Sequence, residues 1–122
     1  MKIKIVTEGT ESFAELNDTK TASSVAEALP FESVAHSWGD EIYFEIPLEL
    51  EIEDGKDILE VGDIAYWPPG KSMCIFFGPT PSSRGNEVRA YSPVTVFGKV
   101  TGDARVFRNV KDGERIRVEI AD

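Results

Sequence analysis

His36, Cys74 and the triplet Gly70-Lys71-Ser72 are the positions where residue type or spacing first suggests chemistry. A histidine acts as a general base when a hydroxyl or thiol lies within hydrogen-bond reach, and no spacing in the chain pairs His36 with one. Cys74 sits inside the apolar run Met73 to Phe77, where a thiol ordinarily fills core space. Gly70-Lys71-Ser72 ends like a phosphate-binding loop, but that loop needs glycine where Ala65 stands and a helix where MCIFF reads as a strand. Arg84 and Arg89, on the loop-like stretch that follows Pro81 and precedes Val94, are the remaining candidate polar donors together with His36. Glu49, Glu51 and Glu53 alternate with Leu48, Leu50 and Ile52, the pattern of a strand that shows a row of diverging carboxylates to water instead of a converging cation site. One cysteine excludes an intrachain disulfide, and one histidine excludes the usual Cys/His zinc constellations. No metal and no cofactor is therefore expected.

The elements that must position these residues centre on Gly62 to Ser82. Ile64-Ala65-Tyr66-Trp67 and Met73 to Phe77 are apolar, aromatic-rich runs joined through Pro68-Pro69-Gly70, and they read as paired strands. Pro79 and Pro81 end the second run, since proline cannot donate to a ladder. Alternation places Tyr66 and Trp67, and likewise Phe76 and Phe77, on opposite faces. One member of each pair fills the core and the other meets solvent or a groove. An apolar surface flanked by prolines is a candidate recognition site, rimmed by Trp67, Pro68, Phe77, Phe44, Tyr43 and Arg89.

Around that centre, Lys2 to Thr7 alternates as a half-buried strand, and Ser12 to Asn17 returns as its partner. Asp18 or Thr19 caps the one helix. Ala22, Val25, Ala26 and Leu29 form its apolar stripe, and Pro30 ends it. Val34, His36 and Trp38 share one strand face, Glu41 to Ile46 is the next strand, and Asp54 to Asp57 is a turn. Val94 to Val100 and Arg115 to Ile120 are strands, with an extended or short helical piece between them. A single mainly β domain over residues 1–122 follows, a small closed antiparallel barrel of about eight strands with one short helix.

With a net charge of −9, the chain repels nucleic acid phosphates and anionic lipid, so neither partner is expected. The start MKIKIVTEG shows no signal-peptide pattern and no run is long enough to cross a bilayer, which points to a cytoplasmic protein.

Five ordered segments resemble the cyclophilins: Lys20-Thr21-Ala22 opening the helix, Gly62 to Pro68, Cys74 to Phe77, Val96-Phe97-Gly98-Lys99-Val100, and Ile116 to Asp122. The WPPG and CIFFGPTP runs are similar to the atypical, short prokaryotic cyclophilin-like proteins. The resemblance implies a cyclophilin-like barrel and, for the family at large, isomerisation of Xaa-Pro peptide bonds across a barrier of about 18–20 kcal/mol. The residues that the family uses are mostly replaced. No arginine precedes Arg84, Trp67-Pro68 stands where the groove carries Ala-Asn, Ile75 replaces the glutamine and Val94 the histidine; Phe77 alone keeps a proline-pocket residue. Loss of a preorganised donor costs roughly 10²–10³ in rate. The expectation is a groove that binds a small molecule or short peptide. A divergent peptidyl-prolyl isomerase using His36, Arg84 or Arg89 is the alternative, and self-association through the same surface a further use.

Overall fold

The computed structural model describes residues 1–121 and places ten strands in one antiparallel sheet. The alternating N-terminus forms β1 (Lys2–Thr7), with Ile3 and Ile5 fully buried, and β2 (Glu11–Leu16) returns against it. Helix α1 (Lys20–Ala28) starts where the Thr19 hydroxyl accepts from the Ala22 N–H at 3.0 Å, and it buries Ala22 and Val25. Strands β3 (Phe31–Val34), β4 (His36–Ser37), β5 (Glu41–Glu45), β6 (Lys56–Leu59), β7 (Asp63–Trp67), β8 (Ser72–Phe76), β9 (Val88–Val100) and β10 (Arg115–Ile120) follow, with a 3₁₀ turn at Pro68–Gly70 and another at Ala104–Asn109.

The hydrogen-bonded order is β3-β10-β1-β2-β9-β7-β8-β5-β4, with β6 paired to β9. The expected mainly β antiparallel fold is present, and closure of the barrel by hydrogen bonds is not confirmed. The two ends of the path, β3 and β4, are separated only by Ala35, so the chain changes partner there, from β10 to β5, and among the described residues no ladder closes the sheet. Two expectations fail. Residues 47–55 form no strand: the Tyr66 hydroxyl donates to the Leu48 carbonyl and accepts from the Leu50 N–H, while the Glu53 N–H donates to Thr95 Oγ1. The carboxylate of Glu53 accepts from the Lys20 and Thr21 N–H groups and the Thr21 hydroxyl, so it serves the helix N-terminus instead of a solvated ridge. Lys56 and Asp57, placed in a turn by sequence, begin β6.

Period-2 alternation divides the interior into two clusters. The larger holds Ile5, Phe44, Tyr66, Ile75, Phe77 and Phe97 together with the α1 stripe. The smaller lies on the other face of β7 and β8, where Ala65, Cys74 and Phe76 pack with Leu59, Val88 and Val94. Tyr43 and Trp67 are only partly covered by this second cluster, and they mark where it opens to solvent.

Candidate functional site

Three antiparallel strands aim the site residues. The β5–β8 register sets Glu41 opposite Phe76 and Tyr43 opposite Cys74, and the β7–β8 register sets Ala65 opposite Cys74 and Trp67 opposite Ser72. Glu41, Tyr43, Cys74 and Trp67 consequently share the face of the smaller cluster. The turn before β5 adds Trp38, whose N–H donates to the Glu41 carbonyl at 2.9 Å across Gly39-Asp40. Gly39 holds φ at 60°, and the Asp40 side chain lies so close to Gly78 that a Cβ there would meet Oδ2 at 2.3 Å. The irregular middle of β9 supplies Tyr91, where the pairing with β6 shifts register.

These five residues, Trp38, Glu41, Tyr43, Trp67 and Tyr91, line a cavity of about 300 Å³. Tyr91 stands edge-on to both indoles, with centroids 5.9 Å from Trp38 at 76° and 6.1 Å from Trp67 at 88°. It is 72% exposed and contacts both of those rings. Trp67 is oriented from two sides: its Nε1–H donates to Ser92 Oγ at 2.7 Å, and its ring lies over Gly70. Glu41 is only 6% exposed. Burial pushes its carboxyl up from the ordinary 4.5 to about 7, with the Cys74 thiol opposing weakly by hydrogen bonding. Burial and the neighbouring Glu41 in turn raise the Cys74 thiol well above its usual range, so at neutral pH it is a protonated core group and not a nucleophile.

A second concavity shares the Tyr43–Trp67 ridge and holds His36, Glu45 and Ser72 on its far side. The His36 ring lies 5.4 Å from the Tyr43 ring, and Nδ1 is 3.6 Å from Asp112 Oδ1. Gly70-Lys71-Ser72 makes the β7–β8 connection, with Lys71 paired to Glu49 at 3.1 Å and the Ser72 hydroxyl donating to the Gly70 carbonyl. Its atoms are committed to a turn, with no helix N-terminus for a phosphate.

Of the groove residues expected from sequence, Trp67 and Tyr43 meet in the cavity and Pro68 begins the half-exposed turn beside it. Phe44 and Phe77 do not line it. They belong to the larger core, at 0% and 3% exposure, because they have the opposite parity to Tyr43 and Phe76. Arg89 is a β9 strand residue and not a loop donor. Its guanidinium is held by Glu87 at 3.1 Å and Asp57 at 3.5 Å, and these partners keep it strongly protonated. Arg84 is exposed in the preceding loop, where its N–H donates to Glu87. Neither arginine lines the aromatic cavity. Sequence reasoning missed Trp38, Glu41 and Tyr91. The shared parity of Glu41 and Tyr43 carried a signal for one of them, whereas Pro93 hid the strand that presents Tyr91.

The protein-family model described as cyclophilin-like matches residues 1–119. The solution structure of a hypothetical protein from Archaeoglobus fulgidus is similar to this chain, with 41% sequence identity, a TM-score of 0.84, and coverage of 99% of this chain and 95% of the other. No curated protein matches the chain significantly.

Proposed function

The chain belongs to the cyclophilin-like family, and from that premise we propose that it is a binding module whose ligand, a small molecule or a side chain of a short peptide, enters the cavity between Trp38, Tyr43, Trp67 and Tyr91. The observation that carries this is the exposed Tyr91, held edge-on against both tryptophans over a buried carboxyl. Aromatic surface left open in this way, with a few placed polar groups, is the usual make-up of a ligand pocket. Isomerase chemistry needs a donor directed at the twisted amide, and among the described residues no arginine, histidine or glutamine lines the cavity. Binding without efficient isomerisation is the function this arrangement supports.

Both tryptophans of the chain line the cavity, which makes the test direct. In ¹⁵N spectra, a panel of aromatic, aliphatic, anionic and cationic fragments is expected to yield at least one compound that shifts both indole Nε1–H signals, with the effect lost in Trp67→Ala. A panel that moves neither indole signal at millimolar concentration rejects the proposal. A protease-coupled assay on Xaa-Pro peptides is expected to give no rate above background.

A further inference from the structure

We propose that the cavity is a receptor for an alkylated ammonium group carried by a small molecule. The assignment rests on the cavity being a binding site, and it adds the chemistry of what binds. Four aromatic residues and one carboxyl line the cavity: Trp38 and Tyr43 lie on either side of Glu41 in sequence, Trp67 comes from the end of β7 and Tyr91 from β9. The near-perpendicular arrangement of Tyr91 against Trp38 and Trp67 makes the rings walls of a box and keeps them from stacking into a closed plug. The π faces of such rings attract a cation within about 6 Å, and boxes of this kind take alkylated ammonium groups.

Charge points the same way. Glu41 is buried in the cavity wall, and among the described residues no lysine or arginine lines the cavity. Without a cation, burial favours the protonated form of this carboxyl, and a bound cation would favour its ionised form. The chain's net charge of −9 adds a field that draws cations and repels anions. A primary ammonium would bring three N–H donors that need acceptors, and the acceptors in the lining are the Glu41 carboxyl and the Tyr43 and Tyr91 hydroxyls. An alkylated ammonium has its charge without that demand. The volume, about 300 Å³, is at the lower limit of roughly 300–1,000 Å³ for ligand pockets and suits one head group.

Binding of the cation requires Glu41 as carboxylate, so affinity rises with pH through the region near 7 in which burial holds this acid. The titratable groups around Glu41 are the Cys74 thiol from β8, the phenols of Tyr43 and Tyr91, and, behind Tyr43, His36 with its partner Asp112. The adjacent Asp40 is paired with Arg108 at 3.2 Å.

Choline and its neutral isostere 3,3-dimethylbutan-1-ol have the same shape and differ in charge, so their titration separates the two proposals. With the indole Nε1–H signals as readout and sodium chloride as the ionic-strength control, choline is expected to bind about tenfold or more tightly than the alcohol at pH 8. The preference is expected to shrink at pH 6. Glu41→Gln, a near-isosteric change, is expected to remove most of the preference for choline over the alcohol. Equal binding of the two compounds overturns the ammonium assignment and leaves the binding pocket standing. Binding of neither compound, together with an inert fragment panel, overturns both. A short peptide carrying trimethyllysine that binds more than tenfold tighter than choline replaces the small molecule by a peptide as the carrier. All of these comparisons except the Gln variant use the unmodified protein and do not depend on a substitution folding.

Discussion

The indole N–H of Trp67 donates to the Ser92 hydroxyl at 2.7 Å, tying the end of β7 to the middle of β9 exactly where the cavity needs a fixed wall. A partly buried indole N–H left without its acceptor forfeits a bond worth about 1 kcal/mol. Ser92→Ala is expected to lower stability by about that amount and to broaden the Trp67 indole signal. Equilibrium unfolding in denaturant and the ¹⁵N spectrum measure the two effects.

Gly70 supports the same ring from below. A Cβ at this position would sit 2.6 Å from both Cε3 and Cζ3 of Trp67, so Gly70→Ala must displace the indole. Overpacking of this kind costs about 1–3 kcal/mol. The change is expected to shift the tryptophan emission and weaken any cavity ligand, although Gly70 itself does not line the aromatic cavity. Gly102→Ala, where the added methyl meets nothing within 4 Å, is the control and should alter neither property.

The buried carboxyl of Glu41 makes a pH signature. Its acidity in the folded state is set near pH 7, above the ordinary 4.5, so the folded protein holds the proton more tightly than the unfolded chain. Its contribution is fully favourable below about pH 4.5 and is lost as pH rises through 7, a change of roughly 3 kcal/mol at 1.36 kcal/mol per pKa unit. Glu41→Gln should therefore be more stable than the wild type at pH 8 and nearly equal to it at pH 4.5. Carboxylates held by partners, such as Glu60 by Lys99 and Glu87 by Arg89, follow the opposite trend and cancel when the two proteins are compared at each pH. Thermal unfolding of both proteins from pH 4.5 to 8 tests this, and parallel curves would contradict it.

Phe77 and Trp67 separate core from groove. Phe77→Ala removes a buried ring from the larger core and is expected to cost about 3–5 kcal/mol. Trp67→Ala, at a partly exposed site, is expected to cost less stability and to abolish ligand binding. Denaturant midpoints beside binding isotherms decide the matter: a Phe77 variant that folds and has lost binding selectively would restore it to the groove.

Helix α1 depends on two separate caps. Thr19→Ala loses the bond to the Ala22 N–H and should cost about 1 kcal/mol. Glu53→Gln keeps the shape and removes the charge at the helix start, and is expected to lower the melting temperature by a smaller amount. The Thr21 and Lys20 bonds hold the Glu53 carboxyl below its ordinary range, so its contribution is present at neutral pH and disappears as the solution becomes acidic. The Glu53→Gln deficit should accordingly vanish at low pH, as followed by far-UV circular dichroism.

Much of this fold is legible along the chain because the signals are local. Ile3 and Ile5 alternate with lysines, Thr19 precedes an apolar stripe that stops before Pro30, and the aromatic runs on either side of Pro68-Pro69-Gly70 are β7 and β8. The segment from Leu48 to Glu53 misleads for the same reason. Its alternation is that of a strand, but its backbone groups are bonded by Tyr66 and Thr95 side chains, which no local pattern announces. Pro93 likewise reads as an end, whereas β9 passes through it by shifting register against β6.

The sequence by itself determined that Tyr43 opposes Phe44 in facing, Trp67 opposes Tyr66, and Phe76 opposes Phe77, because a strand's period of two is a property of its own backbone. It also singled out Trp67, beside Pro68 and Pro69, as a candidate for a recognition surface. Only the tertiary structure decided which of the two faces is core and which is cavity, since that depends on the registers joining β5, β8, β7 and β9. Those registers bring Glu41, Trp38 and Tyr91 to Trp67 from distant stretches of chain and send Phe44 and Phe77 inward. The meeting of a buried carboxyl with four rings is a product of strand pairing, and pairing is a long-range choice that burial of the larger core makes.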